Sequence, residues 1–163
     1  METKTRKIDI SEVRVGMIWY EDDTFSFKKR DGKKIKAIVE LIDSDTIYGD
    51  ISVSEIISVS ELNLNWKGTK RYLENFYYPC KPHEEIVWYD IDQFKKLYQQ
   101  YYFVKKTFKM LGKEYRRGFY WADLESPSCD DGAWCFNFRY GQPYMYRQYV
   151  MMPVRPVLAL KVN

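Results

Sequence analysis

This chain has few of the residues from which catalytic and metal sites are usually built. Its 163 residues include one histidine, His83, and three cysteines, Cys80, Cys129 and Cys135. A low and odd number of cysteines argues against a disulfide framework. The sequence contains no Ser-His-Asp set, glycine-rich phosphate loop or His-Glu-x-x-His motif. We therefore expect no catalytic residue, no bound metal and no cofactor.

The chain also lacks a long apolar run and a strong net charge. No stretch of about 18 apolar residues occurs, so we expect no membrane span. The first ten residues, METKTRKIDI, are charged and lack the apolar centre of a secretory signal. We expect a cytoplasmic protein with reduced thiols, or an exported one if a leader has been removed. The net charge of +3 is too small to predict nucleic-acid binding.

Aromatic residues are what the chain has in excess. They make up 18% of the sequence, with 15 Tyr, 9 Phe and 5 Trp, against 45% hydrophobic and 30% charged residues in all. This balance is typical of a globular chain that buries a core, and the length fits one domain. We expect a polar arm over residues 1–12, followed by a single domain over residues 13–163.

The predicted elements follow the order strands, helices, strands. A short helix is expected over residues 66–76. A longer one is expected from Asp90 or Asp92 to Leu111, where Gly112 is a natural stop. Two prolines make residues 77–85 a connection, and residues 54–65 are expected to be a loop. Because strands and helices do not alternate, we predict an α+β fold with a mostly antiparallel sheet. The early strands are predicted over residues 13–20, 24–28, 35–42 and 46–53.

Residues 118–160 carry four spaced motifs. The motifs are Phe119-Tyr120-Trp121, Ala133-Trp134-Cys135-Phe136-Asn137-Phe138, Gly141 and Val154-Arg155-Pro156-Val157. They resemble the C-terminal part of the DUF1566 and Fibrobacter succinogenes major-type domains, which are similar to C-type lectin-like and formylglycine-generating-enzyme-like folds. The resemblance implies a C-type lectin-like domain with paired N- and C-terminal strands, so we expect residues 15–20 to pair with residues 157–162.

The same segment contains a dense group of tyrosines and arginines, which binding surfaces favour. It resembles the variable region of retroelement-diversified proteins, where a fixed frame separates ligand-facing positions. The alternative is that these tyrosines only fill a sheet face. The resemblance implies a structural frame of Trp121, Trp134, Phe138, Gly141 and Arg155. Within it we expect the tryptophans to be buried anchors and Arg155 to close the last strand through hydrogen bonds. The predicted ligand-binding residues are Arg139, Tyr140, Gln142, Tyr144, Tyr146, Arg147 and Tyr149.

These patterns predict a calcium-independent recognition module for a protein or glycan surface. The calcium ligands of C-type lectins are absent, because Gln142-Pro143-Tyr144 has a tyrosine where those loops carry an acid. One alternative is an oxidoreductase similar to formylglycine-generating enzymes that uses Cys129 and Cys135. Another is a structural or assembly subunit without a ligand. The lysine-rich stretches around residues 28–36 and 105–117 are interpreted as structural.

Overall fold

A computed structural model describes residues 7–115, 118–126 and 131–162 of the chain. Within these residues it has two α-helices and eleven strands, and the paired strands run antiparallel. The predicted α+β class with antiparallel sheets is confirmed. The helices are α1 (Trp66–Glu74) and α2 (Ile91–Met110). The strands are β1 (Ile18–Tyr20), β2 (Phe25–Ser26), β3 (Ile35–Asp43), β4 (Thr46–Asp50), β5 (Asn63–Leu64), β6 (Glu84–Val87), β7 (Phe119–Glu125), β8 (Gly132–Asn137), β9 (Gln142–Arg147), β10 (Met152–Pro153) and β11 (Val157–Lys161).

The larger sheet has six strands in the order β2-β1-β3-β4-β11-β6. Both of its faces are covered, which is why β3 is almost continuously buried instead of alternating. Ile38 and Leu41 of β3 belong to a first core beneath α2, whereas Ala37 and Val39 belong to a second core on the opposite face. The first core also includes Ile18, Leu97, Val104, Phe136 and Phe138; the second also includes Val13, Trp19, Ile47, Ile51 and Leu158.

The two ends of the chain do not pair, so that prediction is wrong. β11 lies between β4 and β6, with Val157 opposite Asp50 on one side and Val87 on the other. β1 pairs with β2 and β3 instead. β3 and β4 form a tight hairpin in which Ser44 has φ 57°. Because both strands of this hairpin lie between β1 and β11, these two strands are about 14 Å apart. The pairing expected from the C-type lectin-like resemblance is therefore absent.

The two helices form where the sequence predicts them. Asp90 caps α2 by accepting a 2.9 Å hydrogen bond from the Gln93 amide, and Gln93 Oε1 accepts from the Asp90 amide at 3.0 Å. This reciprocal capping box fixes the first turn of the helix. Beyond the other end, Gly112 takes φ 71°, as a helix C-terminus commonly requires. The strand β6, by contrast, begins at Glu84, inside the stretch that was expected to be a connection.

A second, three-stranded sheet, in the order β7-β8-β9, lies between the two helices. On one face Tyr120 and Phe136 pack on Phe94 of α2 in the first core. The other face forms a third core near α1 and the short β5–β10 ladder. No helix in the described ranges is long and apolar enough to cross a membrane. The third core comprises Trp66, Trp121, Ala133, Cys135 and Met152.

Candidate functional site

The turn between β8 and β9 displays the first two predicted ligand-binding residues. The amide of Gly141 donates to Asn137 O at 2.8 Å, and the Arg139 amide donates to Asn137 Oδ1 at 2.8 Å. Gly141 has φ 67°, and a Cβ there would overlap the ring of Tyr98, so only glycine suits this frame position. The turn leaves Tyr140 60% exposed, with the Arg139 guanidinium 5.5 Å from its ring centroid.

Three aromatic rings line up across the outer part of the small sheet, and we call them the aromatic row: Phe119, Tyr144 and Tyr146. The Phe119 ring centroid lies 5.9 Å from that of Tyr144 and 5.5 Å from that of Tyr146. Phe119 belongs to β7 and the tyrosines to β9, so the rings meet across β8. They can do so because β8 presents the small residues Cys135 and Ala133 opposite Tyr144 and Tyr146.

The aromatic row packs on the third core on one side and is partly exposed to solvent on the other. Phe119 and Tyr144 are half-buried because they pack on the third core, whereas Tyr146 is 40% exposed. β9 is the last strand of its sheet, and none of the described residues forms another strand along its outer edge. The row is thus a rigidly backed aromatic surface beside an unpaired sheet edge.

The other predicted binding residues do not all join the row in one patch. Successive residues of a strand point to opposite faces, so Arg147 projects away from Tyr146. Gln142 lies on the same face as the row, at the start of β9. Tyr149 follows β9 in a turn and is 71% exposed. The seven residues are therefore divided between two faces and two ends of one strand.

The frame residues lie at different depths. Trp121 is 2% exposed, and its Nε1 donates to Val150 O at 3.0 Å. Phe138 is 1% exposed within the first core. Trp134 differs from the expected buried anchor, because it is only half-buried at the margin of that core.

Arg155 is the centre of a buried ionic cluster, which was not foreseen. Its guanidinium carbon lies 4.3 Å and 4.7 Å from the ring centroids of Tyr115 and Tyr120. Its Nε lies 3.2 Å from Asp50 Oδ2, and its Nη1 lies 3.5 Å from Glu40 Oε2. The side chains of Arg155, Asp50 and Glu40 are at most 8% exposed. Arg155 was expected only to close the last strand, but it ties β3, β4 and the start of β11 together.

Burial dominates the electrostatics of this cluster. It raises the pKa of Glu40 to about 8, although the Arg155 charge opposes the shift. Tyr89 donates its hydroxyl to Glu40 Oε1 at 2.8 Å. The signal that could have revealed the cluster is the presence of acids next to apolar residues: Glu40 lies between Val39 and Leu41 in β3, and Asp50 ends β4 directly before Ile51.

A cleft of about 290 Å³ opens beside the buried ionic cluster, and its wall includes Asp50, Tyr115 and Arg155. The donors of the guanidinium face carboxylates and phenols of the chain itself. The chain thus satisfies this arginine internally, which assigns the cluster a role in holding the sheet together.

The raised pKa of Glu40 predicts that the stability of the fold depends on pH. The folded-state pKa of about 8 lies above the ordinary value of 4.5. The stability that Glu40 contributes is therefore fully present below pH 4.5 and is lost as the pH rises through 8. The free energy of unfolding should fall across this window, by at most about 1.4 kcal/mol per pH unit. In urea unfolding over a pH series, Glu40→Gln should flatten the decline, whereas Glu85→Gln, at an exposed carboxylate, should not. Parallel curves for wild type and Glu40→Gln would contradict this assignment.

The cysteines do not assemble into a reactive pair within the described residues. Cys135 is fully buried on β8, and burial raises the pKa of its thiol to about 12. This disfavours the thiolate that copper binding or nucleophilic chemistry needs. Cys129, its predicted companion, lies outside the described residues. The described residues also include no group of three His, Cys, Asp or Glu side chains placed to hold a metal ion.

Comparisons with family models, with curated proteins and with solved structures found no match to this chain. Its function therefore has to be inferred from its own geometry.

Proposed function

We propose that this chain is a calcium-independent recognition module that binds a protein or glycan surface through the aromatic row. The observation that supports the proposal is the placement of Phe119, Tyr144 and Tyr146 on one face of the small sheet, backed by a tightly packed core. Tyrosine gives a large contact area and a hydrogen-bonding hydroxyl while ordering few torsions. A row that is already held in place loses little further freedom when a partner binds.

The turn residues extend this surface along one end of the sheet. Arg139 and Tyr140 are exposed at the turn that precedes β9, and Gln142 follows on the row's face. Arginine and tyrosine are enriched among the residues that dominate binding energies. We propose that these residues form the polar rim of the site and that the row forms its centre. Arg147 and Tyr149, which lie on the other face and at the far end, fall outside this site.

The C-type lectin-like relationship is proposed for the C-terminal segment alone. The motifs of residues 119–157 support ligand display from this small sheet, but the N-terminal strands follow a different pairing. Recognition by the aromatic row does not depend on that fold assignment. The oxidoreductase alternative is disfavoured by the burial of Cys135, and a ligand-free assembly subunit is the alternative against which binding has to be tested.

Selection against a glycan array and a displayed peptide library tests the proposal. Changing Tyr146→Ser, at a 40% exposed side chain, should leave the free energy of unfolding within about 0.5 kcal/mol. It should weaken the binding of any selected ligand by about 2 kcal/mol, which is a roughly 30-fold loss of affinity. Chelation of calcium should leave binding unchanged.

Tyr77→Ser is the matched control, because Tyr77 is 82% exposed and lies outside the aromatic row. If the selected ligands bind the Tyr146→Ser and Tyr77→Ser variants with equal affinity, the aromatic row is not the binding site. Failure to select any ligand from either collection would favour the assembly-subunit alternative.

A further inference from the structure

The outer face of α2 combines positive charge with exposed apolar side chains. Between Gln93 and Lys113 the chain has six lysines and no acidic residue. The opposite face of the helix is buried in the first core, where it contributes Phe94, Leu97 and Val104. At about 1.5 Å per residue, the basic face extends for about 21 Å from Lys95 to Lys109 within α2. The lysines are Lys95, Lys96, Lys105, Lys106, Lys109 and Lys113.

Among the residues that the structure describes, one carboxylate lies within ion-pair distance of these lysines. Lys96 forms an exposed ion pair with Asp43 at 2.8 Å. Within the described ranges, the other five lysines have no carboxylate within ion-pair distance, and all five are exposed. A row of unpaired like charges on one rigid helix creates a positive field that attracts an anionic partner.

Large apolar side chains lie among these lysines where a soluble helix normally carries polar ones. Tyr102 is 65% exposed, Phe103 53% and Met110 50%. Phe103 and Met110 are seven residues apart, so they point the same way two turns apart. Lys106 lies between them and Lys109 lies beside them. We call this set of lysines and apolar residues the α2 face.

The turn between β8 and β9 adjoins the α2 face. Gly141 abuts the ring of Tyr98, and Tyr102 lies one helical turn beyond Tyr98. The exposed Arg139 and Tyr140 of that turn thus add another charge and another ring beside the helix.

We propose that the α2 face docks on an anionic lipid bilayer. Acidic headgroups complement the lysines, and lysine stems can lie along apolar surface while their ammonium groups stay among the headgroups. Phe103, Met110 and Tyr102 can then enter the boundary between headgroups and acyl chains, as in helices that lie flat on membranes. The helix packs on its own domain with one face and contacts the bilayer with the other.

Nucleic acid is the other polyanion that such a face could meet, and the geometry fits it less well. Proteins that hold single strands offer a groove with rings on which successive bases stack. Here the exposed rings of Tyr102 and Phe103 meet edge to face, with planes 76° apart, on a convex helix. They provide no common stacking platform.

Vesicle flotation tests the proposal. The full chain should float with vesicles of phosphatidylcholine and about one-third phosphatidylserine, and not with phosphatidylcholine alone. Each lysine near such a surface raises the partition coefficient of a protein onto the membrane about fivefold. The triple change Lys105→Gln, Lys106→Gln and Lys109→Gln should therefore lower the partition coefficient onto these vesicles about 100-fold. Phe103→Ser should also weaken binding while the circular dichroism spectrum and melting temperature stay unchanged, since exposed substitutions rarely unfold a domain.

The matched control removes the same number of charges elsewhere. Lys28, Lys29 and Lys34 are exposed around the β2–β3 turn, and their triple change to Gln should leave flotation unchanged. If both triple variants bind acidic vesicles equally weakly, the effect is due to net charge, and the proposal that the α2 face binds the membrane is wrong. Absence of flotation with the acidic vesicles would also overturn the proposal. Binding of a single-stranded oligonucleotide that is stronger than vesicle binding, and lost in the same α2 variants, would replace the membrane by nucleic acid.

Discussion

Replacing Arg155 by methionine should reduce the free energy of unfolding by about 3–5 kcal/mol at neutral pH, because it leaves the buried Asp50 carboxylate without its counter-charge. Asp50 and Glu40 are at most 2% exposed, and Arg155 is the cation that contacts both. Methionine fills much of the same volume, so the loss should reflect charge more than packing. Chemical denaturation of wild type and variant measures the difference.

Two companion variants separate charge from other effects. Lys96→Met removes one partner of an exposed ion pair with Asp43 and should cost less than about 1 kcal/mol. Adding Asp50→Asn to Arg155→Met should recover part of the loss, since the amide can still accept the Ser52 amide hydrogen bond that Asp50 accepts at 2.8 Å. A loss for Arg155→Met no larger than that for Lys96→Met would show that the buried ionic cluster does not stabilise the sheet.

Truncating Trp121 to alanine should cost about 3–5 kcal/mol, because it opens a cavity in the third core. Trp121 is 2% exposed, and its indole also donates to Val150 O. Trp134→Ala, at a half-buried side chain, should cost clearly less, about 1–2 kcal/mol. Equal losses for the two tryptophans would contradict the depths at which the structure places them.

The same variant connects the core to the proposed binding surface. Trp121 and Cys135 lie opposite one another on β7 and β8, and Cys135 lies opposite Tyr144 on β9. The aromatic row therefore rests directly on the third core. Any ligand of the row should be lost in Trp121→Ala together with stability, whereas Tyr146→Ser should lose the ligand alone.

The two proposed surfaces share only the β8–β9 turn with Arg139 and Tyr140, and they can fail separately. The aromatic row lies on the sheet face that covers the third core, whereas α2 packs on the opposite face of the same sheet. They come closest at the β8–β9 turn, where Gly141 meets Tyr98. A chain that docks on a membrane by α2 could present the row to a partner at the bilayer surface.

Local features of the sequence were enough to predict both helices and the fold class. The apolar spacing of α2, the Asp90 cap and Gly112 act within one or two turns of chain, so their effect needs no distant contact. The β3–β4 hairpin follows likewise from a short turn between two apolar runs.

Only the tertiary structure decided which strands pair and where Arg155 lies. A strand's pattern tells which of its faces is buried but not which neighbour hydrogen-bonds to its edge, so the place of β11 between β4 and β6 had no sequence signature. Glu40 and Arg155 are 115 residues apart, and two charges at that separation become partners only when a sheet brings them together. The aromatic row also depends on pairing, because Phe119 reaches Tyr146 only across the small residues of β8.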